Sequence, residues 1–323
     1  MKPVYSGLIG DVGGTNARFA LVDGEGHIRH PKTFESKAYP SLTDVVAEYL
    51  TSTIGARRPP RAVIAVAGPV VDGEIEFTNL EWVVSEGDLL AQFEFEAVRL
   101  INDFAAQALA CPRLDDADLR RIGPDLGRGN WECPVVVLGA GTGFGVAGLA
   151  RNERGDVAIA TEGGHAAFAP NDELEFEIWR RLRAEHGRVS IERLLSGPGL
   201  YDIYQALAAR AGKPAELPDE RAVVAKGQSG DALASETLDL FCAILGSVAG
   251  DLALTFGARG GVYISGGIAP RMADRLDSGA FRARFEDKGR LSDYVEDIPT
   301  FLVTHPYAAM VGAARELEQM ERL

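Results

Sequence analysis

Residues 8–22 read Leu8-Ile9-Gly10-Asp11-Val12-Gly13-Gly14-Thr15-Asn16-Ala17-Arg18-Phe19-Ala20-Leu21-Val22. Two apolar runs, 8–12 and 17–22, flank the Gly13-Gly14-Thr15-Asn16 segment, so the spacing predicts two strands joined by a tight turn. The two glycines let the backbone come close to a phosphate and Thr15 offers a hydroxyl. Asp11, at the strand end, is an acid able to hold the water shell of a magnesium ion. A plain hairpin would use Gly-Gly too, but an acid, a hydroxyl and Arg18 gathered on one turn favour a ligand-binding reading.

Working outward, the same design recurs. Residues 134–138 are a wholly apolar strand, followed by Gly139-Ala140-Gly141-Thr142-Gly143-Phe144-Gly145 and another strand to residue 150. Phe144 stands where a dinucleotide fingerprint needs its third glycine, so that reading fails on spacing. The Gly212-Lys213 pair is followed by Pro214, which removes a Walker A loop. What remains is a second phosphate clamp between strands, set against a sharply twisted hairpin, and the two hairpins together suggest a diverged duplication.

The rest of the chain alternates strand-like and helical patterns, the mark of an α/β fold. Residues 42–54 read as a helix, 61–67 as a buried strand, 74–78 as a short strand, and 98–102 as a strand running into a helix over 103–110. A break follows at Cys111-Pro112. Helical patterns cover 174–184, 191–195, 200–211 and 230–256, with Gly197-Pro198-Gly199 read as a turn. A strand over 262–265 meets Gly266-Gly267, and 308–320 is a final helix. In 240–258 the apolar spacing of three and four describes a buried helix rather than a membrane span.

The 323 residues suffice for two domains with sizeable cores. Lysine and arginine number 33 against 47 aspartates and glutamates, a net charge of −14, which disfavours a nucleic-acid partner. Any phosphate must therefore be held mainly by backbone amides and a metal ion. Cys111, Cys133 and Cys242 stand far apart, so neither a disulfide framework nor a cysteine zinc site is indicated. The amino-terminal stretch lacks the pattern of a signal peptide, and a cytoplasmic location is expected.

Two polar clusters complete the candidates. Asn102-Asp103 lies at a strand-to-helix junction, where either residue type also serves as an ordinary helix cap. Glu162-Gly163-Gly164-His165 places an acid and an imidazole on a glycine turn, suited to hydroxyl recognition. Glu192, after Ser190, has the alternative reading of a first-turn helix acid, and His165 that of a structural histidine.

Together these motifs resemble the sugar kinases of the actin, hexokinase and heat-shock ATPase superfamily, and specifically the bacterial ATP-dependent glucokinases. The match is carried in order by residues 11–18, 102–110 and 139–145, by Tyr263-Ile264-Ser265-Gly266-Gly267-Ile268, and by Val311-Gly312-Ala313-Ala314. The cysteine-rich zinc motif of ROK-type glucokinases has no counterpart after His165, where the chain reads Ala166-Ala167-Phe168-Ala169-Pro170. The likeness is therefore to the zinc-free branch, with no structural zinc.

The resemblance implies a two-domain actin-like ATPase (ribonuclease H-like) fold with an interdomain cleft. Residues 1–112 would form the small domain, with 304–323 returning to it, and 113–303 the large one. It implies transfer of the γ-phosphate of ATP, with Mg2+, to the 6-hydroxyl of D-glucose, in a homodimer without nucleic-acid or membrane partners. Asp103 would be the catalytic base, because a sugar hydroxyl is a poor nucleophile until its proton is accepted. Asn102, Glu162, His165, Glu192 and Asn79 would bind sugar hydroxyls. Asp11 would orient magnesium through water. Gly13, Gly14, Thr15, Asn16, Gly141, Thr142 and Gly143 would line the phosphates, and Gly266 and Gly267 the adenosine. The competing readings are a kinase for another hexose, a non-catalytic sugar sensor and an assembling ATPase.

Overall fold

A computed structural model describes residues 5–77, 80–153 and 155–322. The chain divides into two compact units. The first comprises residues 1–114, 152–160 and 305–323, and the second residues 115–151 and 161–304. The division expected from the sequence falls at residue 112 and keeps residues 152–160 with the second part.

The first unit is built on β1 (Tyr5–Val12), β2 (Asn16–Asp23), β3 (Ile28–Glu35), α1 (Leu42–Ile54) and β4 (Arg61–Val66). The small hairpin β5 (Glu74–Glu76) and β6 (Val83–Ser85), α2 (Glu86–Phe93), β7 (Ala97–Asn102) and α3 (Asp103–Ala110) follow. Its sheet has the order β3-β2-β1-β4-β7. The β1–β2 and β2–β3 pairs are antiparallel, while β1–β4 and β4–β7 are parallel.

Successive side chains on a strand point to opposite faces, and both faces of this sheet are covered. Leu8, Phe19, Leu21, Ile64 and Val66 pack in a core with Val45, Val46 and Tyr49 of α1. Ile9, Ala20, Val22 and Val63 face Met310, Ala313 and Leu317 of the carboxy-terminal helix. That is why residues 61–66 carry almost no polar side chain.

The second unit contains β8 (Leu119–Ile122), β9 (Val135–Ala140), β10 (Phe144–Asn152, all but its last residue), α4 (Glu173–His186), α5 (Gly197–Arg210), α6 (Glu220–Gln228) and α7 (Ala232–Phe256), while β11 (Gly155–Thr161), which follows β10 in the chain, belongs to the first unit except for Thr161. After these come β12 (Gly261–Ser265), the short α8 (Ala273–Asp277), α9 (Ala280–Glu286) and α10 (Ser292–Glu296), and β13 (Thr300–Val303). The last helix, α11 (Ala308–Met320), returns to the first unit. The sheet order is β11-β10-β9-β12-β13-β8.

The two sheets repeat one plan. β9 pairs antiparallel with β10 and parallel with β12, as β1 does with β2 and β4, and β13 continues in parallel as β7 does. The two glycine turns thus occupy equivalent places, each joining the antiparallel pair, β1–β2 or β9–β10, from which the parallel strands continue. α7 is long and apolar enough to cross a membrane by composition, but Phe241, Ile244, Leu245, Val248 and Leu252 are buried in the core of this unit.

Candidate functional site

In the first unit the Gly13 amide donates to Asn16 O at 2.9 Å and closes the turn that joins β1 to β2. Thr15 is exposed, while Gly13, Gly14 and Asn16 are partly buried. Asp11 pairs opposite Arg18, one step before the last β1–β2 pair, Val12 with Ala17, and its Oδ2 accepts from Arg18 Nη1 at 2.9 Å. The Asp11 side chain is 19% exposed. Burial pushes its carboxyl above the usual value, an effect that the charge and hydrogen bond of Arg18 partly offset.

Sequence reading missed the residue that holds this turn. Ser36 is fully buried, its Oγ donates to Gly13 O at 2.8 Å and its amide to Thr15 O at 2.9 Å. In a trans peptide the C=O and the following N–H point in opposite directions. With the Gly13 carbonyl fixed on Ser36, the Gly14 N–H is therefore aimed away from the core, as a phosphate-binding turn requires. No motif marks Ser36, since the contact joins residues 23 apart in the chain.

The same unit carries Asn102 and Asp103. The sequence left open which residue caps the helix, and the cap is Asn102. Its Oδ1 accepts from the Phe104 and Ala105 amides at 2.9 and 3.1 Å. Its Nδ2 donates to Gly68 O at 3.2 Å and to Asp103 Oδ1 at 3.1 Å. Asp103 Oδ1 also accepts from the Phe104 amide at 2.9 Å, so the carboxylate is oriented at the first residue of α3. Asn79 lies outside the described residues.

In the second unit the Gly141 amide donates to Gly143 O at 2.8 Å, and Thr142 at the tip is exposed. Gly197-Pro198-Gly199 is not a free turn but the first turn of α5. Ser196 Oγ caps it by accepting from the Gly199 amide at 3.1 Å, and a proline near the start suits a helix there. The Gly197 amide reaches back to Gly141 O at 2.9 Å.

Glu162, Gly163, Gly164 and His165 form a single tight turn, with the His165 amide donating to Glu162 O at 3.0 Å. The His165 side chain is exposed, unlike a core histidine, and Glu162 is exposed beside it. The neighbouring turn Ile191–Arg193 is docked here by the Ile191 amide on Ala166 O at 3.0 Å. Glu192 does lie in the first turn of this short helix, after Ser190, although Ser190 makes no side-chain cap bond. Glu192 Oε2 accepts from the Phe144 amide at 2.9 Å.

Gly266 and Gly267 follow β12. Gly266 takes a positive φ of 84°, and the Ile268 amide donates to Ala140 O at 3.2 Å, which fixes this segment against the end of β9. Cys111, Cys133 and Cys242 form no disulfide with one another.

Comparison with known proteins gives these turns a context. The glucokinase family model matches residues 8–320. A glucokinase from Caulobacter vibrioides is 49% identical over 315 residues, covering 95% of this chain and 94% of its own. The crystal structure of a glucokinase from an Antarctic psychrotroph superposes with a TM-score of 0.87 at 40% identity, covering 97% of this chain and 98% of its own. A ROK family glucokinase from Streptomyces griseus, solved in complex with glucose and AMPPNP, has a TM-score of 0.65 at 19% identity. It covers 97% of this chain and 99% of its own, and shares the fold. With a family model matched over residues 8–320 and relatives of about half identity along nearly their whole length, the chain belongs to the glucokinase family, bacterial sugar kinases of the actin-like ATPase fold that phosphorylate glucose.

Proposed function

We propose that the chain transfers the γ-phosphate of ATP to the 6-hydroxyl of D-glucose, giving glucose 6-phosphate and ADP, with Asp103 as the base. The observation that carries this reading is the carboxylate of Asp103, held at the start of α3 by Asn102 Nδ2 and the Phe104 amide. A carboxylate so oriented can accept the hydroxyl proton as the oxygen attacks phosphorus, while ADP leaves with the bridging oxygen. Asn102 both orients Asp103 and, by exchanging its bond to Gly68, supplies a donor to a sugar hydroxyl. Glu162, His165 and Glu192 take the other hydroxyls, and Asn79 joins them by resemblance.

A kinase of this family implies ATP with a divalent metal, and magnesium is the ion we assign. Asp11 suits it: a mostly buried acid at a phosphate turn, with Arg18 restraining its carboxyl. When bound, the ion would screen the phosphate charges. The turn residues Gly13, Gly14, Thr15 and Asn16, with Gly141, Thr142 and Gly143, would take the phosphates, and Gly266 and Gly267 the adenosine. A homodimer and a cytoplasmic location belong to the same reading, the first supported by the family likeness and the second by three cysteines that form no disulfide with one another.

The test is a coupled assay of ADP formation against a panel of hexoses and phosphoryl donors. Glucose with Mg·ATP should give the highest kcat/KM, and the product should carry phosphate at the 6-position. A preference for mannose or fructose would replace the substrate, and activity with ADP or polyphosphate alone would replace the donor.

A further inference from the structure

Glu192 does not stand apart from the phosphate turn. Its Oε2 accepts from the Phe144 amide, the peptide that follows Gly143, at 2.9 Å. A Cβ built at Gly143 would overlap that same oxygen. On the other side of Phe144, its carbonyl fills the space where a Cβ on Gly164 would lie, and Gly164 sits between Glu162 and His165. Gly143 O in turn receives the Gly141 amide at 2.8 Å, and Gly141 O the Gly197 amide at 2.9 Å. All these contacts lie within the second unit. One residue, Phe144, thus carries the carboxylate of Glu192 on its N–H and the Glu162–His165 turn on its C=O.

We propose that Glu192 is a positioning residue for the 139–145 turn as well as a sugar ligand, and that Gly143 is glycine in order to admit this carboxylate. The inference rests on the reading that Glu192 binds a sugar hydroxyl and that the turn binds nucleotide phosphates. A carboxylate has two oxygens: Oε2 is committed to the turn, and Oε1 is the one that serves the hydroxyl. Sugar contacts and phosphate contacts are then set by one side chain. Shifting Glu192 must alter the turn even where no sugar is bound.

Three variants test this, with Mg·ADP binding measured by calorimetry in the absence of sugar and the glucose KM measured by kinetics. In Glu192→Gln the amide oxygen still accepts from Phe144, so the Mg·ADP Kd should stay within about twofold while the glucose KM rises about tenfold. In Glu192→Ala both should rise, each by about tenfold. Gly143→Ala, a change in the phosphate turn, should raise the glucose KM by at least as large a factor as it raises the Mg·ADP Kd. An unchanged Mg·ADP Kd in Glu192→Ala, with glucose KM raised, would overturn the link and leave the sugar reading standing. A weakened Mg·ADP affinity with an unchanged glucose KM would instead remove Glu192 from the sugar ligands. Should Glu192→Ala not fold, Gly143→Ala still decides the matter: a raised Mg·ADP Kd with an unchanged glucose KM in that variant would overturn the link.

Discussion

Asn102 caps the helix that begins at Asp103 and also holds that aspartate, with Nδ2 donating to Asp103 Oδ1 at 3.1 Å. Cap and base are therefore separable by substitution. Asp103→Asn keeps the cap and should leave the melting temperature close to that of the parent, while turnover falls by about 10²-fold to 10⁴-fold. Asn102→Ser retains an oxygen for the Phe104 and Ala105 amides but cannot reach Asp103 in the same way. It should cost well under about 1 kcal/mol of stability and still lower kcat. Full turnover in Asp103→Asn would remove the aspartate from the chemistry.

Ser36 offers a second test, because it lies behind the first phosphate turn. Ser36→Ala leaves the partly buried Gly13 carbonyl without its hydroxyl donor, a loss of about 1 kcal/mol. If that bond aims the Gly14 amide, the KM for ATP should rise about fivefold while the glucose KM moves less. A fall in thermal stability with both constants unchanged would make Ser36 a packing residue only.

How much of this was legible beforehand depended on whether the signal was local. The helix over 42–54 carries its own start, since Ser41 accepts the Asp44 amide and the apolar positions fall on one stripe. The 103–110 helix and the strands flanking both glycine turns were readable in the same way. β3 was not, because most of its side chains are exposed and an edge strand with polar residues has no apolar alternation to detect. The start of α5 was misread although Ser196 and Pro198 signal a helix, as the two glycines around the proline looked like a turn. Glu192 and Phe144 are 48 residues apart, and nothing in their neighbourhoods announces the bond. Motifs nominate candidate residues, but distant partners such as Ser36 for Gly13 and Phe144 for Glu192 carry no local signal.

His165 has an exposed side chain on the same turn as Glu162, as a ligand for sugar hydroxyls should. One hydrogen bond to a hydroxyl is worth about 1 to 3 kcal/mol. His165→Ala should then raise the glucose KM about tenfold to a hundredfold with a much smaller change for ATP, since about 1.4 kcal/mol is a factor of ten. Metal analysis of the purified protein belongs beside the kinetics. One tightly bound zinc per chain, or an unchanged glucose KM, would defeat the sugar role.

The carboxy-terminal helix holds the 152–160 segment by a buried ion pair. Arg315 Nε donates to Asp156 Oδ2 at 2.9 Å with side chains 9% and 2% exposed, and Arg315 Nη1 reaches Glu318 at 3.0 Å. Removing the arginine takes the cation from beside a carboxylate that water hardly reaches, and such single losses cost about 3 to 5 kcal/mol. Replacing both partners by apolar side chains of similar volume removes the desolvation problem along with the attraction, and is often neutral. Arg315→Met should therefore lower the denaturant midpoint strongly, whereas Arg315→Met combined with Asp156→Leu should recover most of the loss. Neither residue belongs to the proposed sugar or phosphate sets, so kcat per folded molecule should change little in the double variant. If the double variant were no more stable than Arg315→Met, the cost would lie in lost packing of the arginine stem against its neighbours, and the ion pair would not be what holds this segment to the helix.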